Sequence, residues 1–246
     1  MKILISPTTV SEADVVIECV HKCDIIDIKN VKEGSLGAQM PWIIKAIVDK
    51  AHENGFVTSA TLGDLPNKPG TAAQAAYGVS CCGVDYIKAG LYDARTVEDA
   101  TAVMQACVKA VRMASSTAKV VASGYGDFAR FGGLHWRDLV EAAHRAGCDA
   151  VLIDTYIKDG RTLFDNMTRA ECKEFCDTAK AHGMEVALAG SINAHNLADI
   201  YDIRPSFIGV RGAVCEGGNR ANCMTPAKIG EFLDMARNRR VPSVAA

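Results

Sequence analysis

Aromatic residues are scarce in this chain, 6% of 246, and no apolar run approaches the roughly 20 residues of a membrane span. Net charge is scarce as well: 27 Lys plus Arg stand against 29 Asp plus Glu, a formal −2, and neither half is strongly basic or acidic. Nucleic acid and anionic membranes are therefore poor partners. A small anionic substrate stays open, because it needs only local positive charge. The ten cysteines include no C-x-x-C pair and no Cys/His grouping at zinc spacing, so no metal is expected. The opening residues Met1-Lys2-Ile3-Leu4-Ile5-Ser6 turn polar at once and lack the apolar core of a secretory leader. A reduced, cytoplasmic protein is expected, with its cysteines serving as small core residues. No linker, low-complexity stretch or charge block divides the chain, and no predicted strand is followed by G-x-G-x-x-G. That absence counts against a dinucleotide-binding open sheet, the runner-up architecture.

What is present is an apolar half, 49% of residues, arranged as short β-type runs alternating with longer amphipathic stretches. Eight strands are predicted at Lys2–Ser6, Asp24–Lys29, Val57–Thr61, Tyr86–Ala89, Val120–Ser123, Ala150–Asp154, Glu185–Ala189 and Phe207–Val210. Helices are predicted near 11–22, 41–54, 71–82, 96–114, 137–146, 168–182, 193–202 and 225–239. Ser11 and Thr96 precede early acids as N-caps do, and Pro41 and Pro226 suit first helical turns. Gly55, Gly147 and Gly183 suit helix C-termini. Eight βα units in 246 residues fit one (β/α)8 barrel, a TIM barrel, spanning 1–246.

Barrel active sites form at the C-terminal ends of strands. There this sequence repeatedly places lysine with aspartate. Asp27 and Lys29, two apart, share one strand face; Lys88 ends the fourth strand, and Asp154 ends the sixth with Lys158 close behind. Inward residues of alternate strands share a layer, so Lys29, Lys88 and Asp154 are expected to face one another. Asp27 should sit one layer deeper, and Lys158 should reach in from its loop. Two ammonium groups in low dielectric disfavour double protonation, so one pKa falls toward neutrality. The neutral amine can attack an aldehyde or ketone to form a Schiff base. Asp27 and Asp154 can relay protons or hold a charged lysine. A single Lys–Asp pair would more simply be an ion pair filling the barrel mouth; three occurrences at three strand ends favour catalysis.

The seventh and eighth strands end in Ala189-Gly190-Ser191 and Gly209-Val210-Arg211-Gly212-Ala213. In barrels these two loops often bind phosphate through backbone N–H groups. Gly190, Ser191, Gly209, Arg211 and Gly212 are the candidate phosphate residues, Arg211 as a bidentate ligand. Arg211 bracing a neighbouring loop is the alternative. Weaker candidates are the loop Asn30–Gly37 as a substrate cover, Ser123–Asp127 as a second anion loop, and Lys68 as a phosphate contact. The six histidines read as surface or satisfied core residues, and Arg237–Arg240 as a solvated helix end.

Several segments resemble one family. They are Asp27–Ala38, Asp85–Lys88, Asp154-Thr155 with Lys158-Asp159-Gly160, Leu163–Asp165, Ala187–Ser191 and Val210–Ala213. Together they are similar to the (5-formylfuran-3-yl)methyl phosphate synthases of methanofuran biosynthesis, also called 4-(hydroxymethyl)-2-furancarboxaldehyde phosphate synthases. The likeness covers essentially the whole chain. It implies a (β/α)8 lyase that condenses two molecules of glyceraldehyde 3-phosphate into a phosphorylated furan aldehyde, releasing phosphate and water, with no metal or organic cofactor. By that resemblance Lys29 is the Schiff-base lysine and Lys88 the proton acceptor. Asp27, Asp154 and Lys158 support them, Lys158 engaging the second aldehyde. A homo-oligomer is expected. Two other readings remain: a class I aldolase or isomerase acting on triose phosphates, and a non-catalytic phosphate-binding barrel acting as a partner subunit.

Overall fold

Eight parallel strands close in chain order into a barrel, each followed by a helix. The computed structural model describes residues 1–115 and 117–238. The strands are β1 (Lys2–Ile5), β2 (Ile25–Ile28), β3 (Val57–Asp64), β4 (Tyr86–Gly90), β5 (Lys119–Tyr125), β6 (Ala150–Asp154), β7 (Glu185–Leu188) and β8 (Phe207–Val210). The helices are α1 (Val10–Glu18), α2 (Pro41–Glu53), α3 (Pro69–Ser80), α4 (Val97–Ala114), α5 (Trp136–Ala146), α6 (Arg169–Ala181), α7 (Leu197–Ile203) and α8 (Pro226–Arg237). Among the described residues no helix is long and apolar enough to cross a membrane.

The two-residue period of the strands separates two cores. In β2, Ile26 and Ile28 face the helices; in β4, Ile87 and Ala89 do, and in β6, Val151 and Ile153. The alternate positions turn into the barrel, where Leu4, Ile25, Val121, Ala150, Leu152, Ala187 and Phe207 pack as an apolar floor. Beneath it Tyr86 and Lys119 both meet Glu185, at 3.0 and 2.7 Å, across the N-terminal end. The inward positions above the floor are Asp27, Lys88 and Asp154. Polar side chains thus cluster at the two ends of the barrel, with the apolar floor between them.

Local signals explain most boundaries. Thr96 caps α4 by accepting from the Asp99 amide, and Pro41 and Pro226 open α2 and α8. Gly55, Gly147 and Gly183 adopt left-handed conformations at φ 76°, 73° and 76°. Other boundaries differ from the sequence reading. Thr9, not Ser11, caps α1: Glu12 accepts from Thr8 N and Oγ1 at 2.8 and 2.9 Å, drawing the helix start forward. That helix stops at Glu18, where Cys19 turns out of the helix at ψ 135° and the Lys22 amine donates to the Ile17 carbonyl. β3 and β5 run on to Asp64 and Tyr125, β2 ends before Lys29, and β7 ends before Ala189. The predicted 193–202 helix begins as a 3-10 turn, Ala194–Asn196. Within the run Arg237–Arg240, Arg239 and Arg240 lie outside the described residues.

Gly90 shows how tightly the C-terminal layer is filled. A Cβ there would lie 2.5 Å from Tyr125 Oη and 2.7 Å from the Gly63 carbonyl oxygen. Gly90→Ala should therefore cost about 2 kcal/mol, roughly 5 °C in a thermal melt. An unchanged melting temperature would show that the layer has slack.

Candidate active site

At the C-terminal end of the barrel lies a cavity of about 400 Å³. All ten residues selected from the sequence line it: Asp27, Lys29, Lys88, Asp154, Lys158, Gly190, Ser191, Gly209, Arg211 and Gly212. Lys68 and the Ser123–Asp127 segment do not. Asp127 instead accepts from the Tyr156 and Ile157 amides at 2.7 and 2.8 Å, orienting the loop that carries Lys158. No histidine lines the cavity, and among the described residues no group of His, Cys, Asp and Glu is arranged to hold a metal.

The ionic pairs are built in two tiers. Asp27, fully inside the barrel, accepts from Ser59 Oγ at 2.6 Å, Ser6 Oγ at 2.8 Å and the Lys88 amine. Burial opposes its ionisation, but Lys88 and Lys29 outweigh that and hold its carboxyl below the usual range. Register places Ser59 beside Asp27 and Thr61 beside Lys88. The Lys88 side chain therefore reaches down to Asp27 instead of standing level with Lys29. Asp154 forms the second tier. It accepts from Lys158 Nζ and the Thr155 amide, both at 2.7 Å, while Lys29 Nζ stands 3.9 Å away. Burial again opposes ionisation, and Lys158 and Lys29 overcome it, so Asp154 is a firm carboxylate.

Lys29 differs from the other two amines. Lys88 and Lys158 each touch a carboxylate, and Lys158 adds Thr155 Oγ1 at 3.0 Å. Lys29 Nζ makes no hydrogen bond among the described residues, yet the residue is 8% exposed and opens only into the cavity. Its pKa falls to about 8, first because burial penalises the ammonium, with the charges of Lys88 and Lys158 adding to the effect. Asp154 and Asp27 pull the other way and lose. Burial, more than the lysine–lysine repulsion invoked from sequence, is the larger cause.

The loop Asn30–Gly37, expected as a substrate cover, contributes no residue to the cavity wall and is tied down beside it. Leu36 joins the barrel interior beside Tyr125. Ser35 Oγ donates to the Thr155 carbonyl at 2.7 Å, and Thr61 Oγ1 to that of Gly37 at 2.7 Å. Asp64 accepts from the Ser35 and Leu36 amides and from Tyr125 Oη. Burial raises the pKa of Asp64. Asp64 escaped the sequence reading because the predicted third strand stopped short of it, and Tyr125 was read only as part of a loop because the predicted fifth strand ended at Ser123.

On the opposite wall, Gly190 takes φ 103°, and a Cβ there would meet Thr155 Cγ2 at 2.9 Å. Ser191, at φ 52°, is one of two described non-glycine residues with positive φ. Gly212 leaves room for the Gly218 carbonyl, which a Cβ would approach to 2.9 Å. Arg211 is occupied otherwise than as a free phosphate ligand. It donates to Glu12 at 2.8 and 3.1 Å, to the Ser6 carbonyl at 2.8 Å and to the Arg220 carbonyl at 2.7 Å. The bracing alternative describes its side chain. Arg220, which the sequence reading did not select, lines the cavity instead.

Fold and site together define a (β/α)8 barrel with a buried lysine, free of hydrogen bonds among the described residues, at the C-terminal end of its strands. The profile of the 4-HFC-P synthase family matches residues 3–233, and the chain belongs to that family. The (5-formylfuran-3-yl)methyl phosphate synthase of Archaeoglobus fulgidus is 47% identical over 217 residues, 88% of this chain and 92% of that protein. The protein of the same name from Methanopyrus kandleri is 47% identical over 219 residues, 89% and 91% of the two chains. Among solved structures, 3-hexulose-6-phosphate synthase superposes with a TM-score of 0.65 at 15% identity, covering 95% of this chain and 98% of that one. Deoxyribose phosphate aldolase from Aeropyrum pernix gives 0.62 at 16%, covering 97% and 90%. At such identities the likeness is one of fold alone. The sequence relatives are synthases, so this chain is an enzyme, which sets aside the non-catalytic barrel.

Burying Lys29 has a stability consequence. Between pH 8 and 10.5 the unfolded chain keeps this proton and the native chain has lost it, so this group makes stability rise with pH. Below pH 8 the cost of the buried charge is fully present. Lys29→Met should therefore be at least as stable as the parent near neutral pH, with Lys158 still neutralising Asp154. Its advantage should vanish near pH 10. Denaturant melts at both pH values measure this, and a variant less stable at neutral pH would contradict it.

Proposed function

We propose that this enzyme condenses two molecules of glyceraldehyde 3-phosphate into (5-formylfuran-3-yl)methyl phosphate through a Schiff base at Lys29, releasing phosphate and water, as a lyase of methanofuran-type cofactor formation. One observation carries the reading: a buried amine with no hydrogen bond among the described residues and a pKa near 8, opening into a cavity between carboxylates and a glycine-lined wall. At pH 7 about a tenth of such a lysine is neutral, against less than about 0.1% of an ordinary one.

The chemistry follows from that amine. The Lys29 lone pair attacks the aldehyde carbon, and the carbinolamine loses water to give a protonated imine. The imine accepts electrons from the adjacent C–H bond as its proton leaves, forming an enamine, which can expel phosphate from the third carbon. Lys88 with Asp27 is the proton-handling unit beneath the substrate, and Lys158 with Asp154 the unit beside it, meeting the second aldehyde. Asp27 and Asp154, both held ionised, anchor these two amines against the cavity. Backbone N–H groups of the Gly190-Ser191 and Gly212 turns suit a phosphate, with Gly209 leaving that wall bare. Arg211 serves by bracing these loops. A class I aldolase or isomerase acting on triose phosphates would use the same imine and differ in product.

Borohydride added with glyceraldehyde 3-phosphate should fix an adduct on the peptide containing Lys29, and the free product should show the ultraviolet absorbance of a furan aldehyde. Lys29→Arg, which keeps the charge but offers no amine nucleophile, should fold and lose roughly 10³-fold or more in turnover. A trapped adduct without furan absorbance would favour the aldolase reading, and absence of any adduct would remove both. Turnover should also climb with pH toward about 8 as the Lys29 amine deprotonates. A flat profile from pH 6 to 8 would place the nucleophile elsewhere.

A further inference from the structure

Five cationic side chains line the cavity: Lys29, Lys88, Lys158, Arg211 and Arg220. Four have a carboxylate within ion-pair distance. Lys88 is paired with Asp27, Lys158 and Lys29 share Asp154, and Arg211 holds Glu12. Arg220 has no such partner among the described residues. Its one side-chain hydrogen bond there is from Nη2 to the Gly34 carbonyl at 3.1 Å. A guanidinium carries five N–H donors in a planar fork that matches phosphate oxygens. Arg220 is half-buried and lines the cavity. Leaving charged donors unpaired in such a place is costly unless a ligand completes them.

We propose that Arg220 is the specificity-determining phosphate ligand of this site, selecting a phosphorylated aldehyde over the free one. The inference rests on the proposed function only for the identity of the aldehyde. Geometry supplies the rest. The Arg220 carbonyl is held by Arg211 Nε, and Arg211 is anchored to Glu12 and the Ser6 carbonyl, so the loop bearing Arg220 is fixed to α1 and β1. Arg211 thus positions Arg220, which gives the arginine nearest the strand end a bracing task of its own. The remaining contact, on Gly34, ties Arg220 to the loop that begins immediately after Lys29. An anion bound there bridges the β8 loop and the cover loop beside the nucleophile.

The test uses glycerol 3-phosphate, which carries the phosphate but no carbonyl and so binds without imine chemistry. Arg220→Gln keeps a donor for Gly34 and removes the charge; Arg220→Lys keeps the charge and loses the fork. Loss of charge-assisted bonds predicts about 10- to 100-fold weaker binding of glycerol 3-phosphate by calorimetry in Arg220→Gln, and an intermediate loss in Arg220→Lys. In turnover, the KM for glyceraldehyde 3-phosphate should rise by a similar factor while kcat changes less. Melting temperatures identify any variant that has lost its fold, and Arg220→Lys then carries the measurement. Equal affinity in parent and a folded variant would overturn the proposal and leave Arg220 a brace for Gly34. Borohydride trapping at Lys29 separates the two readings. A missing adduct in the parent enzyme counts against the imine, while the glycerol 3-phosphate result judges Arg220 alone.

Discussion

An ammonium group set above an apolar floor, with too little carboxylate to satisfy it, is the constraint on which this site depends. The floor of Leu4, Ile25, Val121, Ala150, Leu152, Ala187 and Phe207 closes the barrel from below. Water therefore reaches the amines only from the cavity. Asp27 is used up by Lys88 and two serine hydroxyls, and Asp154 by Lys158 and the Thr155 amide. Lys29 is left with a carboxylate at 3.9 Å, near enough to steer it and too far to fix its proton. Desolvation then outweighs Coulomb attraction, and the amine becomes a base of useful strength.

The loops make that arrangement durable. Residues just past β2 would fray if they were only tethered at one end, and Lys29 is the first of them. Instead Ser35, Leu36 and Gly37 are held by β3, by Tyr125 at the end of β5 and by Thr155 after β6. Across the mouth, Arg211 gathers α1, β1 and the β8 loop around one guanidinium. The catalytic end is thus a ring of cross-strand ties, which is how a shallow cup of loops keeps side chains within bonding distance.

Much of this was legible in the residue order. Asp27 and Lys29 share a strand face, Lys88 lies near the end of its strand, and Asp154 ends its own. Those facts alone select Asp27, Lys29, Lys88 and Asp154 among the residues lining the cavity, because side chains alternate and barrel sites lie at strand ends. Partnerships were less legible. Nothing local shows that Lys88 reaches down to Asp27, or that Lys29 is the amine left over. Arg211 looked free because its partner Glu12 lies 199 residues away in sequence. Arg220 stands in a loop whose course no periodicity describes, so the segment was given no binding role from sequence.

By itself the sequence determined the barrel, the strand ends and the chemical character of the mouth, since these follow from period-two burial and from short-range capping rules. Tertiary structure decided which charges cancel. Ion pairing depends on distances of a few ångströms between strands separated by dozens of residues, and desolvation depends on what closes the space behind each group. Both are properties of the closed barrel, and neither is written in any one of its segments.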